Sequence, residues 1–303
     1  MLSRIAESLY WIGRYLERAE DTARIVEVFH LMLLADPTVD EEGASAGLLQ
    51  VMGAPLAEVS DTSEVMRALC YDSESACSIV AAISGAREAA RRARETVSSE
   101  MWEAINTTWN SVRDDGLNDL NPSVAFKHVR ERCAVISGVA DQTMSHDEGW
   151  HFLNLGRSIE RIDMTARMIL SLGTHGAWQN ILQGCGAHHA FIRTYGGATS
   201  DRDAAEFLLL DRLFPRSVVY TLREAEESLA QLDHHILRAG FDDEAQRLLG
   251  GARTVLEYLL PDKILDGLSD RMAELQRTCV QVSEAITARY FSGVVAQTWH
   301  GGY

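Results

Sequence analysis

Two twelve-residue segments of this chain carry nearly the same pattern of glutamate, arginine and glycine. Residues 13–24 read Gly-Arg-Tyr-Leu-Glu-Arg-Ala-Glu-Asp-Thr-Ala-Arg, and residues 156–167 read Gly-Arg-Ser-Ile-Glu-Arg-Ile-Asp-Met-Thr-Ala-Arg. Seven of the twelve positions are identical without a gap, namely one Gly, one Glu, one Thr, one Ala and three Arg. This match predicts an internal duplication with halves at 1–147 and 148–303.

The repeated carboxylates and guanidinium groups support two kinds of chemistry. A glutamate removed from water acts as a general acid or base on an amide or amine. Arginines bind carboxylate or phosphate groups through forked pairs of hydrogen bonds. The candidate catalytic residues are Glu17, Glu20, Glu160 and Asp163, and the candidate binding residues are Arg14, Arg18, Arg24, Arg157, Arg161 and Arg167.

An architectural interpretation of the same residues is also open. On a helix, Glu20 and Arg24 are four residues apart, the second segment repeats this pair, and Arg14 is within reach of Glu17. Such pairs contribute about 0.2–0.5 kcal/mol each on an exposed helix. Alternatively, the repeated polar residues of each segment form a ribbon at the edge of the apolar seam of its helix. The two ribbons would then face each other across a pseudo-twofold axis, where the glycines allow close approach and each carboxylate meets a guanidinium group from the other half.

The segments that carry these residues read as long helices. Apolar or small residues recur at steps of three and four along residues 3–35, and 149–172 repeats this seam in the same register. The five prolines lie where helical patterns start or stop. The sequence therefore predicts an all-α bundle of long amphipathic helices without a substantial sheet, the further helices lying at about 76–96, 99–114, 122–145, 215–239, 243–260 and 263–291.

Two regions, 36–62 and 173–203, are richer in Gly, Ser, Thr, Asp and Pro and are predicted to be loops with short helices. The second contains six glycines together with His175, His188 and His189. This composition suits either an ordinary long connection or a mobile cover over a site.

A carboxylate-bridged metal site is a further alternative. The pairs Glu27–His30 and Glu148–His151 have the Glu-x-x-His spacing of di-iron helical bundles. Two such pairs in an acidic chain are close to what chance supplies, and the doublets at 188–189 and 234–235 point their rings to different helix faces. We therefore predict no metal and no cofactor, and without a Gly-rich phosphate loop we expect no self-contained use of ATP.

Composition limits the partners and the compartment. The net charge is −16, from 44 acidic and 28 basic residues, which opposes unspecific binding to nucleic acid or an anionic membrane. Arginines cluster between Arg87 and Arg94, but their spacing is typical of a solvated helix face. Five scattered cysteines, no apolar signal core and no membrane-length apolar run lead us to expect a cytoplasmic protein.

Short segments along the whole chain form a recognisable combination. It begins with Met1–Arg4 leading into 9–20 and includes Ser-Glu-Met-Trp-Glu at 99–103 with Asn106, and Asp-Glu-Gly-Trp at 147–150. It continues through Phe152 and the second Gly-Arg and Glu-Arg pairs to Phe-Pro-Arg-Ser-Val at 214–218. In these segments the chain resembles the alpha-E family of bacterial proteins. The sequence departs from the family pattern at Glu88–Arg91, where an Asn usually precedes Ala-Arg, and at His146, where Arg is more usual.

The resemblance implies an all-helical protein whose genes lie beside, or fuse with, circularly permuted ATP-grasp ligases and transglutaminase-like peptidases. It implies a part in the synthesis or modification of a peptide, either as an accessory subunit or as an enzyme, and it does not fix a reaction. A homo-oligomer is compatible with the sequence. A non-catalytic scaffold is the alternative, with Trp102, Trp109 and Trp299 as interface anchors.

Overall fold

The protein is described from a computed structural model that covers residues 1–55, 61–114, 116–172, 177–196, 200–232 and 243–291. These residues form helices and contain no strand, which confirms the predicted all-α class. The helices are α1 Ser3–Ala35, α2 Glu41–Met52, α3 Thr62–Met66, α4 Ile79–Arg92, α5 Ser99–Val112, α6 Pro122–Thr143, α7 Glu148–Leu172, α8 Trp178–Gly184, α9 His188–Tyr195, α10 Asp201–Leu210, α11 Val218–Leu232, α12 Glu244–Glu257 and α13 Leu268–Tyr290, with a π-helical turn at Arg67–Tyr71 and a 3-10 turn at Pro261–Lys263.

Short polar side chains set where several helices begin. The Ser78 hydroxyl accepts a hydrogen bond from the Ala81 amide at 3.0 Å, so α4 begins later than the periodicity alone predicts. The side chain of Asn121 accepts from the Ser123 amide at 3.2 Å, and Pro122 occupies the first helical position of α6, where its missing N–H costs nothing.

Two long helices, α1 and α7, form the centre of the bundle and pack along each other. The helices α4 and α6 pack on α1, while α11 and α13 pack on α7. In a matching way, α5 lies between α4 and α6, α12 lies between α11 and α13, α2 contacts α7, and α8 contacts α1. A common origin of the two halves, and their boundary at residue 147, stay predictions.

The centre of the bundle buries charge as well as apolar surface. Helix α1 is covered by α4, α6, α7 and α8, so most of its middle is removed from water. The polar ribbon predicted at the edge of its apolar seam is therefore inside the protein. The buried charged residues of the two central helices are Glu7, Arg14, Glu17, Arg18, Glu20, Asp21, Glu160 and Asp163.

The two regions predicted as loops with short helices contain α2 in the first and α8, α9 and the start of α10 in the second. Because α2 and α8 pack against the central helices, these regions contribute to the core as well as connecting the long helices. His175 lies outside the described residues. Within the part of the chain that the structure describes, no helix combines the length and apolarity that crossing a membrane requires.

Candidate functional site

Gly13 and Gly156 allow the backbones of α1 and α7 to touch. A Cβ atom on Gly13 would lie 2.1 Å from the carbonyl oxygen of Leu153, and one on Gly156 would lie 2.0 Å from that of Tyr10. Neither separation leaves room for a side chain, so any larger residue would force the helices apart. The contact is reciprocal and brings the two repeated segments face to face, as the sequence predicts.

Glu160 on α7 is bound by two arginines of α1. Arg14 donates a hydrogen bond from Nε to Oε2 of Glu160. Arg18 donates from Nε to Oε1 at 2.6 Å and from Nη2 to Oε2 at 3.1 Å. Glu160 is only 1% exposed, so both of its oxygens are satisfied by the partner helix rather than by water.

Arg14 does not pair with Glu17, although the two are three residues apart on the same helix. Its Nη1 donates to the hydroxyls of Tyr10 at 3.0 Å and Ser283 at 2.7 Å, while its Nε donates to Glu160. The local pairing considered from the sequence was wrong, because the close helix crossing offers Arg14 a carboxylate on the opposite helix.

Glu17 on α1 is bound in the reciprocal direction. Arg161 of α7 donates from Nε to Oε1 at 2.6 Å and from Nη2 to Oε2 at 2.8 Å, which is the forked geometry of a strong ion pair. The second guanidinium comes from Arg216, whose Nη1 lies 3.1 Å from Oε1. Glu17 is 3% exposed, so its carboxylate is bound by arginines and not by water.

Arg216 also joins two further carboxylates of α1. Its Nη2 donates to Oε1 of Glu20 at 2.7 Å, and its Nη1 donates to Oδ1 of Asp21 at 2.6 Å. Arg24 donates to the same oxygen of Glu20 at 2.7 Å, as the i, i+4 spacing predicts. We call the following residues the Glu17 cluster: Glu17, Glu20, Asp21, Arg24, Arg161 and Arg216.

The second predicted i, i+4 pair is also present. Arg167 donates from Nε to Oδ2 of Asp163 at 2.8 Å, and its Nη1 donates to the backbone carbonyl of Val51. This carbonyl belongs to the last turn of α2, where cations are favoured by the helix dipole. We call the following residues the Glu160 cluster: Arg14, Arg18, Glu160, Asp163 and Arg167.

The arginines keep both central glutamates ionised. Burial raises the pKa of Glu17, but the charges of Arg161 and Arg216 outweigh burial and lower that pKa to about 2. Burial likewise raises the pKa of Glu160, and the charges of Arg14 and Arg18 lower it to about 2. A carboxylate in this state is a weak base and has no proton to donate near neutral pH.

Asp21 behaves differently from the two glutamates. Burial raises its pKa to about 7, against the charge of Arg216 and with the help of the negative charges of Glu17 and Glu20. Among the described residues, Oδ2 of Asp21 has no hydrogen-bond partner. The Glu17 cluster therefore contains one carboxyl group that holds a proton at neutral pH or changes its charge close to it.

Arg157 lies apart from both clusters. Its Nη2 donates to Oδ1 of Asn154 at 2.7 Å and lies 3.4 Å from Oδ1 of Asp141. Arg14, the matching residue of the first segment, points inward to a carboxylate instead. The structure thus brings nine of the ten candidate residues into two clusters, and their proposed catalytic and binding roles stay predictions.

Two residues that matter to this geometry, Asp21 and Arg216, were not singled out as candidates. Asp21 was overlooked because Met164 stands at the matching position, and Arg216 because it lies outside the repeated segments. A signal existed, since Ser-Ile-Val at 78–80 matches Ser-Val-Val at 217–219. That register places Arg216 opposite Cys77, which lies beside the Glu160 cluster.

The glutamates of the two Glu-x-x-His pairs are bound by cationic groups of the protein. Glu27 forms an ion pair with Arg130 at 3.0 Å, and Glu148 forms one with the N-terminal amine of Met1 at 2.9 Å. Over the described ranges, no three His, Cys, Asp or Glu residues are grouped so that they could hold a metal ion. The rings of His188 and His189 pack edge to face, and the doublet at 234–235 lies outside the described residues.

The arginines near residue 90 combine exposed and stacked side chains. Arg91 is largely exposed and pairs with Glu88, as expected of a solvated face. The guanidinium of Arg87 lies 4.1 Å from the ring centroid of Trp109. Trp102 and Trp109 are half-buried against this face, and Trp299 lies outside the described residues.

Comparison with known families gives one match that covers almost the whole sequence. The model of the Alpha-E family, described as a predicted alpha-helical domain with a conserved ER motif, matches residues 1–291. Glu-Arg dipeptides occur in this sequence at 17–18, 131–132 and 160–161. The first and third of them supply the central residues of the two clusters.

The similar curated proteins include an uncharacterised protein of Mycobacterium bovis and two of Mycobacterium tuberculosis strains. Each is 26% identical to this chain over 309 residues. The alignments cover 90% of this chain but only 34% of each relative, so the chain spans about a third of their length. No solved structure matches the chain.

Proposed function

Because the chain belongs to the Alpha-E family, we propose that it is a non-catalytic helical component of a pathway that makes or modifies a peptide. In this proposal it binds a ligase of the circularly permuted ATP-grasp type, or the peptide on which that ligase acts, and a transglutaminase-like peptidase acts in the same pathway. The ligase and the peptidase come from the family resemblance. The accessory role is argued from the geometry below.

The observation that carries the accessory role is the reciprocal burial of Glu17 and Glu160. Each carboxylate is bound by two arginines and is at most 3% exposed. A general acid or base must exchange a proton with its substrate, and its pKa must lie near the working pH. Carboxylates with a pKa lowered to about 2 meet neither condition.

Most of the candidate arginines are likewise bound to buried carboxylates. Arg14, Arg18 and Arg161 point into the bundle and satisfy the carboxylates of the opposite helix. A buried pair of this kind is costly to break, because removing one partner leaves the other charged and without water. The repeated Glu-Arg pairs therefore hold α1 and α7 together. In this proposal, other surfaces of the protein bind the ligase or its peptide.

The length of the relatives supports a role beside other protein parts. In the mycobacterial proteins, the region similar to this chain is about a third of the whole. A helical unit whose two central glutamates are held ionised by arginines fits such a position better than that of an independent enzyme.

The test compares three mixtures with the same amino-acid or peptide substrates: the chain alone, a circularly permuted ATP-grasp ligase from the same source alone, and both together. ADP release and amide formation are measured in each. We expect no turnover by the chain alone and faster or altered turnover by the mixture. Turnover by the chain alone would refute the accessory role, and a mixture that neither associates nor differs from the ligase alone would refute the partnership.

A further inference from the structure

The outer helix pairs α5–α6 and α12–α13 bury apolar residues with the same spacing. The matching positions are Phe126, Val129, Cys133 and Ile136 of α6 with Met272, Leu275, Cys279 and Val282 of α13, and Met101, Ile105 and Val112 of α5 with Ala245, Leu249 and Leu256 of α12. This register matches Thr278 of α13 to Arg132 of α6. It likewise matches Ala252 of α12 to Thr108 of α5.

Polar side chains bridge the first of these pairs. Arg132 donates from Nε to the hydroxyl of Thr108 at 3.1 Å and from Nη2 to the backbone carbonyl of Ala104 at 3.3 Å. The hydroxyl of Ser111 lies 2.9 Å from Nε2 of His128, within hydrogen-bond distance. Long side chains of α6 therefore reach across to α5.

The second pair has a cavity in the place of this bridge. The hydroxyl of Thr278 donates to the backbone carbonyl of Glu274 on its own helix at 3.0 Å, and the side chain facing it from α12 is only that of Ala252. A cavity of about 220 Å³ lies between α12 and α13 and is lined mostly by apolar residues, among them Met272 and Leu275. A cavity of about 150 Å³ already accepts a benzene molecule, so this one has room for an aromatic ring.

This cavity, which we call the α12–α13 cavity, opens to the surface. Val255 and Glu274 both line it, yet Val255 is 63% exposed and the side chain of Glu274 is 64% exposed. The lining residues lie toward the connection between α12 and α13, which is described throughout. The stretches outside the described residues adjoin Asp243 and Phe291, at the opposite end of this helix pair.

An exposed aromatic side chain lies next to the opening. Tyr258 follows the last turn of α12 and is 83% exposed. It comes three residues after Val255, so the two side chains lie on the same side of the helix end. Leu260 is also exposed and extends this apolar surface. Tyrosine is one of the residues that most often anchor protein interfaces.

The charges of this face permit contact between two copies of the chain. The whole chain has a net charge of −16, which opposes self-association. Residues 253–277, by contrast, contain four basic and five acidic residues. Some of them are already neutralised within the chain, since Arg253 pairs with Glu257 and Arg277 pairs with Glu274. Repulsion between two copies is therefore small at this face.

We propose that two copies of this chain form a twofold dimer through this face, in which Tyr258 of each copy enters the α12–α13 cavity of the other. A protruding ring and a cavity on one surface are self-complementary, as a twofold interface requires. Each copy would bury about 150–250 Å² of its ring and a comparable area of its cavity wall. Together these are a large share of the roughly 800 Å² per partner that stable interfaces bury. The dimer does not rest on the proposed function.

Sedimentation velocity of the full chain from about 0.5 to 100 µM measures the dimer. Tyr258→Ala removes the protruding ring at an exposed position, where folding is not at risk. We expect it to raise the dissociation constant of the dimer at least about tenfold. Leu34→Ala is the matched control, because Leu34 is a similarly exposed apolar residue near the end of α1. It should leave the dissociation constant unchanged.

A second variant fills the cavity. Ala252→Thr combined with Thr278→Arg copies the bridge between Thr108 and Arg132 into α12 and α13, and it should weaken the dimer to a similar extent. Mixed with Tyr258→Ala, this variant should associate again, because the mixed dimer keeps one Tyr258 and one open cavity that fit each other. We expect the mixed dimer to be at least about threefold tighter than the dimer of either variant alone, since one of two equal contacts is restored.

Three results would overturn the proposal. A chain that stays monomeric over the whole concentration range would show that something other than a second copy, or nothing, occupies the cavity. Dimers that Tyr258→Ala weakens no more than Leu34→Ala would place the interface elsewhere. A mixture that associates no better than its components would exclude the reciprocal contact. The first two results do not depend on the folding of the variant with the filled cavity.

Discussion

Glu17 and Glu160 hold matching positions on the two central helices, but their clusters are completed in different ways. The Glu17 cluster is closed by Arg216, a side chain from a distant turn, and its three arginines face three carboxyl groups. Glu160 receives its hydrogen bonds from two arginines of α1, and Cys77, at the position that matches Arg216, lies beside its cluster. One pattern of residues is thus completed by an arginine from a distant turn on one side only.

The difference depends on two positions. Where Arg216 fills the space in one turn, Cys77 leaves it open in the other, and where Asp21 adds a carboxyl group on α1, Met164 adds none on α7. The second turn therefore adds a cation to one cluster, whereas the first turn adds no charge to the other.

The largest difference between the clusters should appear when each glutamate is replaced by glutamine. Glu160→Gln removes the buried carboxylate that Arg14 and Arg18 share and should lower the free energy of unfolding by about 3–5 kcal/mol. Glu17→Gln should cost at least about 1 kcal/mol less, because Asp21 can release its proton and replace the lost charge. Urea unfolding at pH 6, where Asp21 still holds its proton while Glu17 and Glu160 are ionised, measures both, and equal losses would contradict the compensation by Asp21.

Gly13→Ala and Gly156→Ala should each destabilise the protein by about 3 kcal/mol or more, because the new methyl group meets a backbone carbonyl that cannot move aside. The two losses should be similar, since the helix crossing serves both clusters equally. Gly138→Ala is the control, because no atom lies within 4 Å of its added methyl group. It should stabilise α6 by about 0.5–1 kcal/mol. If Gly13→Ala left the free energy of unfolding unchanged, the two helices would not be in contact at this position.

Asp21→Asn should change how stability depends on pH. The pKa of Asp21 is about 7 in the folded protein against 3.8 as the ordinary value, so the folded state holds the proton more tightly. The contribution of Asp21 to stability is therefore fully present below about pH 4 and is lost as pH rises to about 7. Asp21→Asn removes this loss, so it should gain about 1–3 kcal/mol relative to the unmodified chain between pH 5 and pH 8.

Melting curves of the two proteins across this pH range test the change. The control is Glu103→Gln, which alters an exposed carboxylate of α5 and should leave the pH dependence as it was. A difference between Asp21→Asn and the unmodified chain that does not vary with pH would show that Asp21 stays ionised beside Arg216.

The smallest effect is expected from an ion pair at the surface. Arg277 and Glu274 are about half exposed and form an i, i+3 pair on α13. Arg277→Ala should lower the free energy of unfolding by less than about 1 kcal/mol, because water and salt screen the pair. A loss as large as that of Glu160→Gln would mean that burial does not distinguish the clusters from ordinary surface pairs.

The periodicity of apolar residues predicted most of the helices, since steps of three and four report directly which face of a helix is buried. The helix predicted at 76–96 is shorter in the structure, because the cap at Ser78 and the turn before it begin α4 at Ile79. The pairs Glu20–Arg24 and Asp163–Arg167 were predictable for the same reason, since they depend only on spacing within one helix.

For interactions between distant parts of the chain, the sequence predicted which kinds of group would meet but not which individual residues would pair. The repeated glycines and charges predicted that the two segments meet, but they left Arg14 a choice between a local glutamate and one on the opposite helix. The roles of Asp21 and Arg216 follow from burial and from the path of a turn, which spacing does not report. Arg157 likewise donates to Asn154 on its own helix, although its counterpart Arg14 binds a carboxylate of the opposite helix.

The sequence by itself determined that the chain is helical and that two Gly-Arg-x-x-Glu-Arg segments would carry its characteristic charges, because these properties are local or repeated. The tertiary structure decided that the charges are buried, which carboxylate each arginine binds, and that an arginine from a distant turn completes one cluster only. These outcomes depend on which side chains reach the same volume once water is excluded, and only the packing of all the helices fixes that volume.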